Sequence, residues 1–365
     1  MSQAEGEDNV GEVHEIEVVT PQVTLMYPFT TESLGPDFFS NKGFKCSEVL
    51  SIAIPSCVKI INSDAFSGFC LLNNVTLPEG LEEIGSDAFR GCHELRHLTI
   101  PFTVEALEEC TFRGSGLESI ALSNGLIEII GMAFKGCNHL LSISIPSTCL
   151  LIGEEAFANL QNLREVTLLG SLTSIDAFAF SGCTSLETLN ILPSVIDENV
   201  PESEPPTIGE HAFDSCTSLS NIYLGNGIQE IGERAFEACE SLHQLRLPSS
   251  VRNIGKEAFI ELENLIEVSL SEGLETIGNY AFHGCEELKR INIPSTVKTI
   301  STGAFSGCES LCQLTLREGL AAIEHGAFSG CSSLTTVILP ASVKTIAASA
   351  FFGCNENLSL IFVGG

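Results

Sequence analysis

A phenylalanine returns along this chain at an almost fixed interval. The positions are Phe66, Phe89, Phe112, Phe134, Phe157, Phe180, Phe213, Phe236, Phe259, Phe282, Phe305, Phe328 and Phe351. Ten of the twelve intervals are 23 residues, one is 22 and one is 33. Alanine precedes each phenylalanine except Phe112, which follows Thr111. A unit this short cannot bury its apolar face alone, so a period kept over most of 365 residues predicts an elongated stack of coils.

Other columns keep the same register. Five residues before each Phe stands a branched aliphatic, from Ile61 and Ile84 to Ile323 and Ile346. Eight before it is mostly Val or Leu, as at Val58, Leu81, Val251 and Val297. After Phe comes Leu-x-x-Leu-x-Ile, as in Leu95, Leu98 and Ile100, often closed by proline at Pro55, Pro78, Pro101, Pro146, Pro248, Pro294 and Pro340. Leu98 and Ile100 are two apart, so in a strand they share a face. Stacked coils then form a parallel sheet with one side in the core. Proline has no N–H for the ladder and should end the pairing there. The Val-x-x-Ile-x-x-x-Ala-Phe half is the return path, through a short strand or a helical turn.

One copy reads LKRINIPSTVKTISTGAFSGC over Leu288–Cys308. Ala-Phe-x-x-Cys together with Ile-Pro resembles the BspA-like, or Treponema-type, leucine-rich repeat, over roughly residues 43–365. The resemblance implies a curved leucine-rich-repeat solenoid of about 13–14 units, with the Leu-x-x-Leu-x-Ile strands on its concave side. It also implies protein–protein recognition, and several members of the family are surface adhesins of bacteria and parasitic protists.

Three segments fall outside the period. Residues 1–17 read as an acidic disordered tail. Residues 18–42 stay apolar without the repeat and read as an N-terminal cap over the first coil; Gly43 falls in the Phe column of a degenerate first unit. The 33-residue interval holds an acidic, proline-containing insertion near 196–205, with Asp197, Glu198, Glu202 and Glu204. Such insertions map to surface loops.

Net charge is −30, from 47 acids against 17 bases. That field repels phosphate backbones, so nucleic acid is not an expected partner. No apolar run reaches the roughly 20 residues needed to span a bilayer. The first twenty residues carry six acids and no Lys or Arg, unlike a secretory signal. The chain is therefore expected in the cytoplasm, as a monomer; a cell-surface adhesin exported by another route is the alternative.

Fifteen cysteines invite a disulfide or metal reading. Most stand three residues after Phe, at Cys92, Cys137, Cys183, Cys216, Cys239, Cys285, Cys308, Cys331 and Cys354. The same column accepts Phe69, Ser115, Leu160 and Leu262, which marks it as a packing column. The eight histidines occupy different columns, and no phosphate loop, catalytic triad or H-E-x-x-H motif is present. Neither catalysis nor a cofactor or metal is expected. The outward strand positions remain. They are small and neutral in the first half, while the second half gathers Arg246, Arg290 and Arg317 near Tyr223, Gln244, Glu267 and Asn292. Arginine pairs bidentately with carboxylates and tyrosine anchors interfaces. These seven residues are the expected contact surface for a protein partner.

Overall fold

The computed structural model describes residues 14–20, 24–170, 172–192 and 205–363. Most of the insertion near 196–205 lies outside the described residues. Fourteen coils each carry one long strand of three or four residues and one two-residue strand. Among the described residues the α-helix is confined to Asp37–Asn41. The return path is therefore strand and turn rather than helix.

The aliphatic column five before Phe lies in the two-residue strands. Eleven of these, from Ala106–Leu107 to Thr345–Ile346, form one uninterrupted parallel ladder. Ladder and ring stack share a corner of each coil. From Phe66 to Phe351 each ring lies on the next, with centroids 4.9–5.5 Å apart and planes within 19°. Offset stacking at that separation suits the ring quadrupoles. In the degenerate first unit the ring comes from Phe39 on the helix, 5.6 Å from Phe66, rather than from the Phe-column position held by Gly43.

The corner backbone is unusual. The residue two before Phe is left-handed in twelve coils, and in ten of these it is not glycine, as at Asp64, Phe178 and His211. This conformation aims three N–H groups per coil at the next one: Asp64 to the Ser86 carbonyl, Phe66 to Ala88 and Gly68 to Arg90. Six coils have glycine four residues before Phe, and there the coils meet closely. A Cβ on Gly255 would lie 2.6 Å from the backbone of Gly232, and one on Gly278 would lie 2.5 Å from Gly255.

The cysteine column does more than pack. The carbonyl of each Phe faces the next coil, but the backbone N–H nearest to it there is turned into a local bend. Most Phe carbonyls already accept an N–H from their own coil, as from Phe69 to Phe66, and the thiol adds a donor from the next one: Cys92 Sγ donates to the Phe66 carbonyl at 3.2 Å, Cys137 to Phe112 at 3.0 Å and Cys239 to Phe213 at 3.3 Å. Burial pushes Cys137 up from the ordinary thiol value to about 11, and Cys92, Cys183 and Cys285 to about 12. No cysteine among the described residues forms a disulfide.

The long strands behave differently. Their inward residues, such as Leu98, Val166 and Leu245, are buried as the alternation requires. Their ladder, however, is interrupted. In four coils without a closing proline, the residue at that position donates to the end of the preceding strand: Leu169 to Ile145, Leu192 to Leu168, Gly225 to Ile191 and Val363 to Leu339. Pro101, Pro146, Pro248 and Pro340 have no such N–H, and the sheet breaks before each of their strands. Before Arg290–Ile293, closed by Pro294, only Glu267 and Arg290 stay in register. The exception is Asn74–Thr76, closed by Pro78, which still pairs with Ser51–Ala53. The insertion does not disturb register, since Thr188–Ile191 pairs with Asn221–Leu224 along its whole length.

At the N-terminal end, His14–Val19 pairs antiparallel with both Thr24–Phe29 and Ser51–Ala53. The strand thus starts inside the segment that the sequence reads as tail, and Ile16 and Val18 are buried.

Candidate interaction surface

The outward residues of the long strands form one continuous exposed stripe, and the seven predicted contact residues lie along it. Tyr223 sits on Asn221–Leu224 with 52% of its surface exposed. Gln244, Glu267 and Arg290 occupy one column of adjacent strands, and Arg246 lies in the neighbouring column beside Ser269. Asn292 is in register with Thr315. Glu267 is half-buried; the other six are exposed.

The three arginines do not act as one group. Arg317 stands one residue beyond Gln313–Leu316 and pairs with Glu272 at 3.2 Å. Arg246 and Arg290 sit in different columns, on strands separated by Glu267–Ser269. Neither has an ion pair among the described residues. An unpaired guanidinium on a chain of net charge −30 is a group with unused binding capacity.

Two hollows open on this face, each beside a break in the ladder. One, of about 460 Å³, lies between Asn221–Leu224 and Gln244–Arg246 and is closed by Pro248. It brings Tyr223, Gln244 and Arg246 together with Asn190 and Asn221, and excludes Arg290, Asn292 and Arg317. The other, of about 490 Å³, lies between Asn74–Thr76 and His97–Thr99 beside Pro101. Phe102 on its wall is 64% exposed. Sequence reasoning passed over Asn190, Phe102 and the second hollow. The signal that locates both hollows was visible as the closing-proline column.

The Phe corner carries a separate polar cluster that the histidine survey also missed. His211 lies two before Phe213, Asp214 follows it by three, and Glu237 lies 23 residues beyond Asp214 in the next coil. Candidate ligand atoms of the three lie within 4.8 Å of one another. Glu237 also meets Arg234 at 3.6 Å, and Arg234 continues to Glu257, whose partner Lys256 bonds Glu233 at 2.6 Å. That Lys256 hydrogen bond holds the Glu233 carboxyl below its usual range.

The chain matches the BspA type leucine rich repeat region in overlapping segments that together span residues 37–363. Among solved structures it is similar to a leucine-rich repeat protein from Bacteroides ovatus, with 24% identity, a TM-score of 0.50 and coverage of 98% of this chain and all of that one. A Treponema pallidum leucine-rich repeat protein shares 26% identity over 57% of this chain and 78% of its own, with a TM-score of 0.37. A leucine-rich cell surface protein from Faecalibacterium prausnitzii shares 23% over 93% of this chain and 85% of its own, with a TM-score of 0.39. No curated protein matches the chain. No helix among the described residues is long and apolar enough to cross a membrane. Period, stacked parallel strands and matched residues agree: the chain belongs to the BspA-type leucine-rich repeat proteins.

Proposed function

We propose that the protein is a non-catalytic interaction scaffold that takes a protein partner on its long-strand face, anchored at the hollow beside Pro248. One observation carries this reading. Tyr223, Gln244 and Arg246 line a single hollow at a break in the sheet. An exposed tyrosine beside an unpaired arginine is the pairing found at interface hot spots. Arg246 suits a carboxylate on the partner, taken bidentately. Glu267, Arg290, Asn292 and Arg317 flank the anchor along neighbouring strands and form its rim. The thiols that act as hydrogen-bond donors in the core support a reducing compartment.

Affinity capture from separated cytosolic and surface fractions of the native cell tests both statements. The Tyr223→Ala/Arg246→Glu double variant should lose partners that the unmutated protein retains, with its melting temperature unchanged. An identical partner set overturns the anchor. Recovery of the native protein solely from the surface fraction overturns the cytosolic placement.

A further inference from the structure

We infer that His211, Asp214 and Glu237 form a binding site for a divalent first-row transition-metal ion, joining two consecutive coils at the Phe corner. His211 is left-handed, with φ of 52°, and its ring lies flat on Phe178 of the preceding coil, 4.9 Å away and 7° from parallel. The stack fixes the direction in which the ring nitrogens point. Nδ1 is buried and has no hydrogen-bond partner. It faces Glu237 Oε2 at 3.5 Å and Asp214 Oδ2 at 3.9 Å. Both distances exceed the roughly 2.7–3.2 Å of an N–H···O bond. They fit two ligands sharing one ion, since bonds of about 2.0–2.2 Å place ligand atoms no more than about 4.4 Å apart. The site is shielded: the three side chains are 17%, 23% and 23% exposed.

The donor set selects the ion class. One imidazole and two carboxylates suit Zn²⁺, Co²⁺ or Mn²⁺, whereas Ca²⁺ and Mg²⁺ prefer all-oxygen shells. Two carboxylates match the ion's charge, and the protein's net charge of −30 raises the local cation concentration. On the far side of the ring, Nε2 faces Glu210 at 3.8 Å, beyond hydrogen-bond reach, and that carboxylate adds to the negative charge around the site. Arg234 competes for Glu237 from 3.6 Å and sets the affinity below what the ligands alone would give. His211 and Asp214 belong to one coil and Glu237 to the next, so the bound ion staples them together.

Co²⁺ is the probe, because thiolate and N/O ligation give different absorption spectra and this chain has fifteen cysteines. The purified full chain should take up one equivalent with an N/O spectrum, and its melting temperature should rise with Co²⁺ concentration. The near-isosteric Asp214→Asn and Glu237→Gln variants should keep the metal-free melting temperature and lose at least about 100-fold in Co²⁺ affinity. Arg234→Ala should bind more tightly. Failure to bind one equivalent, a thiolate spectrum, or an affinity unchanged by Glu237→Gln would each show that the cluster is an ion pair only.

Discussion

The two sides of each coil are built to opposite rules. At the Phe corner, from Phe66 onward, coils are locked by stacked rings, by two or three N–H donors and, in most coils, by a thiol, and the ladder of two-residue strands breaks once, between Glu83–Ile84 and Ala106–Leu107. The same 23-residue period on the long-strand side yields a sheet cut into plates by Pro101, Pro146, Pro248 and Pro340. The corner therefore holds the molecule together. The long face can spare hydrogen bonds, and hollows open at two of the places where it does, beside Pro101 and Pro248. Continuity serves cohesion, and interruption leaves room for hollows.

Alkaline pH strikes the corner and leaves the long face alone, which makes it the strongest test of the comparison. Burial raises the Cys92, Cys137, Cys183 and Cys285 thiols from an ordinary value near 9 to about 11 to 12 in the folded chain. Above about pH 9 the unfolded chain binds fewer protons than the folded one, so stability falls as pH rises. The contribution is complete below about pH 9 and is lost by about pH 12. Thermal melts across that window should show a steep cooperative decline; a flat profile would mean that the thiols are not held protonated by the fold.

A single break in the ring stack should cost less than losing the whole thiol column. Phe236→Ala empties one fully buried position between Phe213 and Phe259 and should destabilise by about 3–5 kcal/mol in urea unfolding. A loss near 1 kcal/mol would show that the neighbouring rings collapse into the gap.

The smallest expected effect lies on the long face. Pro248→Leu restores an N–H opposite the Leu224 carbonyl. The new hydrogen bond contributes about 0.5–1.5 kcal/mol, and the lost proline rigidity offsets about 0.4–1 of it. Stability should barely move. Amide exchange at position 248 should be slow, as for Gly225, and partner capture through the Tyr223–Arg246 hollow should weaken. A fast-exchanging amide there would show that the break has another cause.

The architecture was legible because it repeats: thirteen phenylalanines, twelve of them in Ala-Phe, and their companion columns average out local ambiguity. The two-residue strand resolved the return path, which the mixed three-and-four spacing had left open. Features that depend on one coil's relation to the next were harder to read. Packing alone explained a column that admits Leu160 and Leu262, so the thiol's role as a second donor to the Phe carbonyl of the preceding coil was invisible until the coils were stacked. The arginines share a face in sequence, but register separates Arg246 from Arg290, and Glu272 neutralises Arg317. His211, Asp214 and Glu237 meet only because coils stack, and no local motif announces them.

The hydrogen bonds of the corner run both ways, and that has an electrical consequence. Asp87, Phe89 and Gly91 point their hydrogens toward the following coil, while Glu82 and Gly85 point theirs toward the preceding one. The peptide dipoles therefore largely cancel, as in an ordinary sheet. The rod builds no end-to-end dipole of the kind that aligned peptides of about 3.5 D give an α-helix. Its field is set by its side chains, with a net charge of −30.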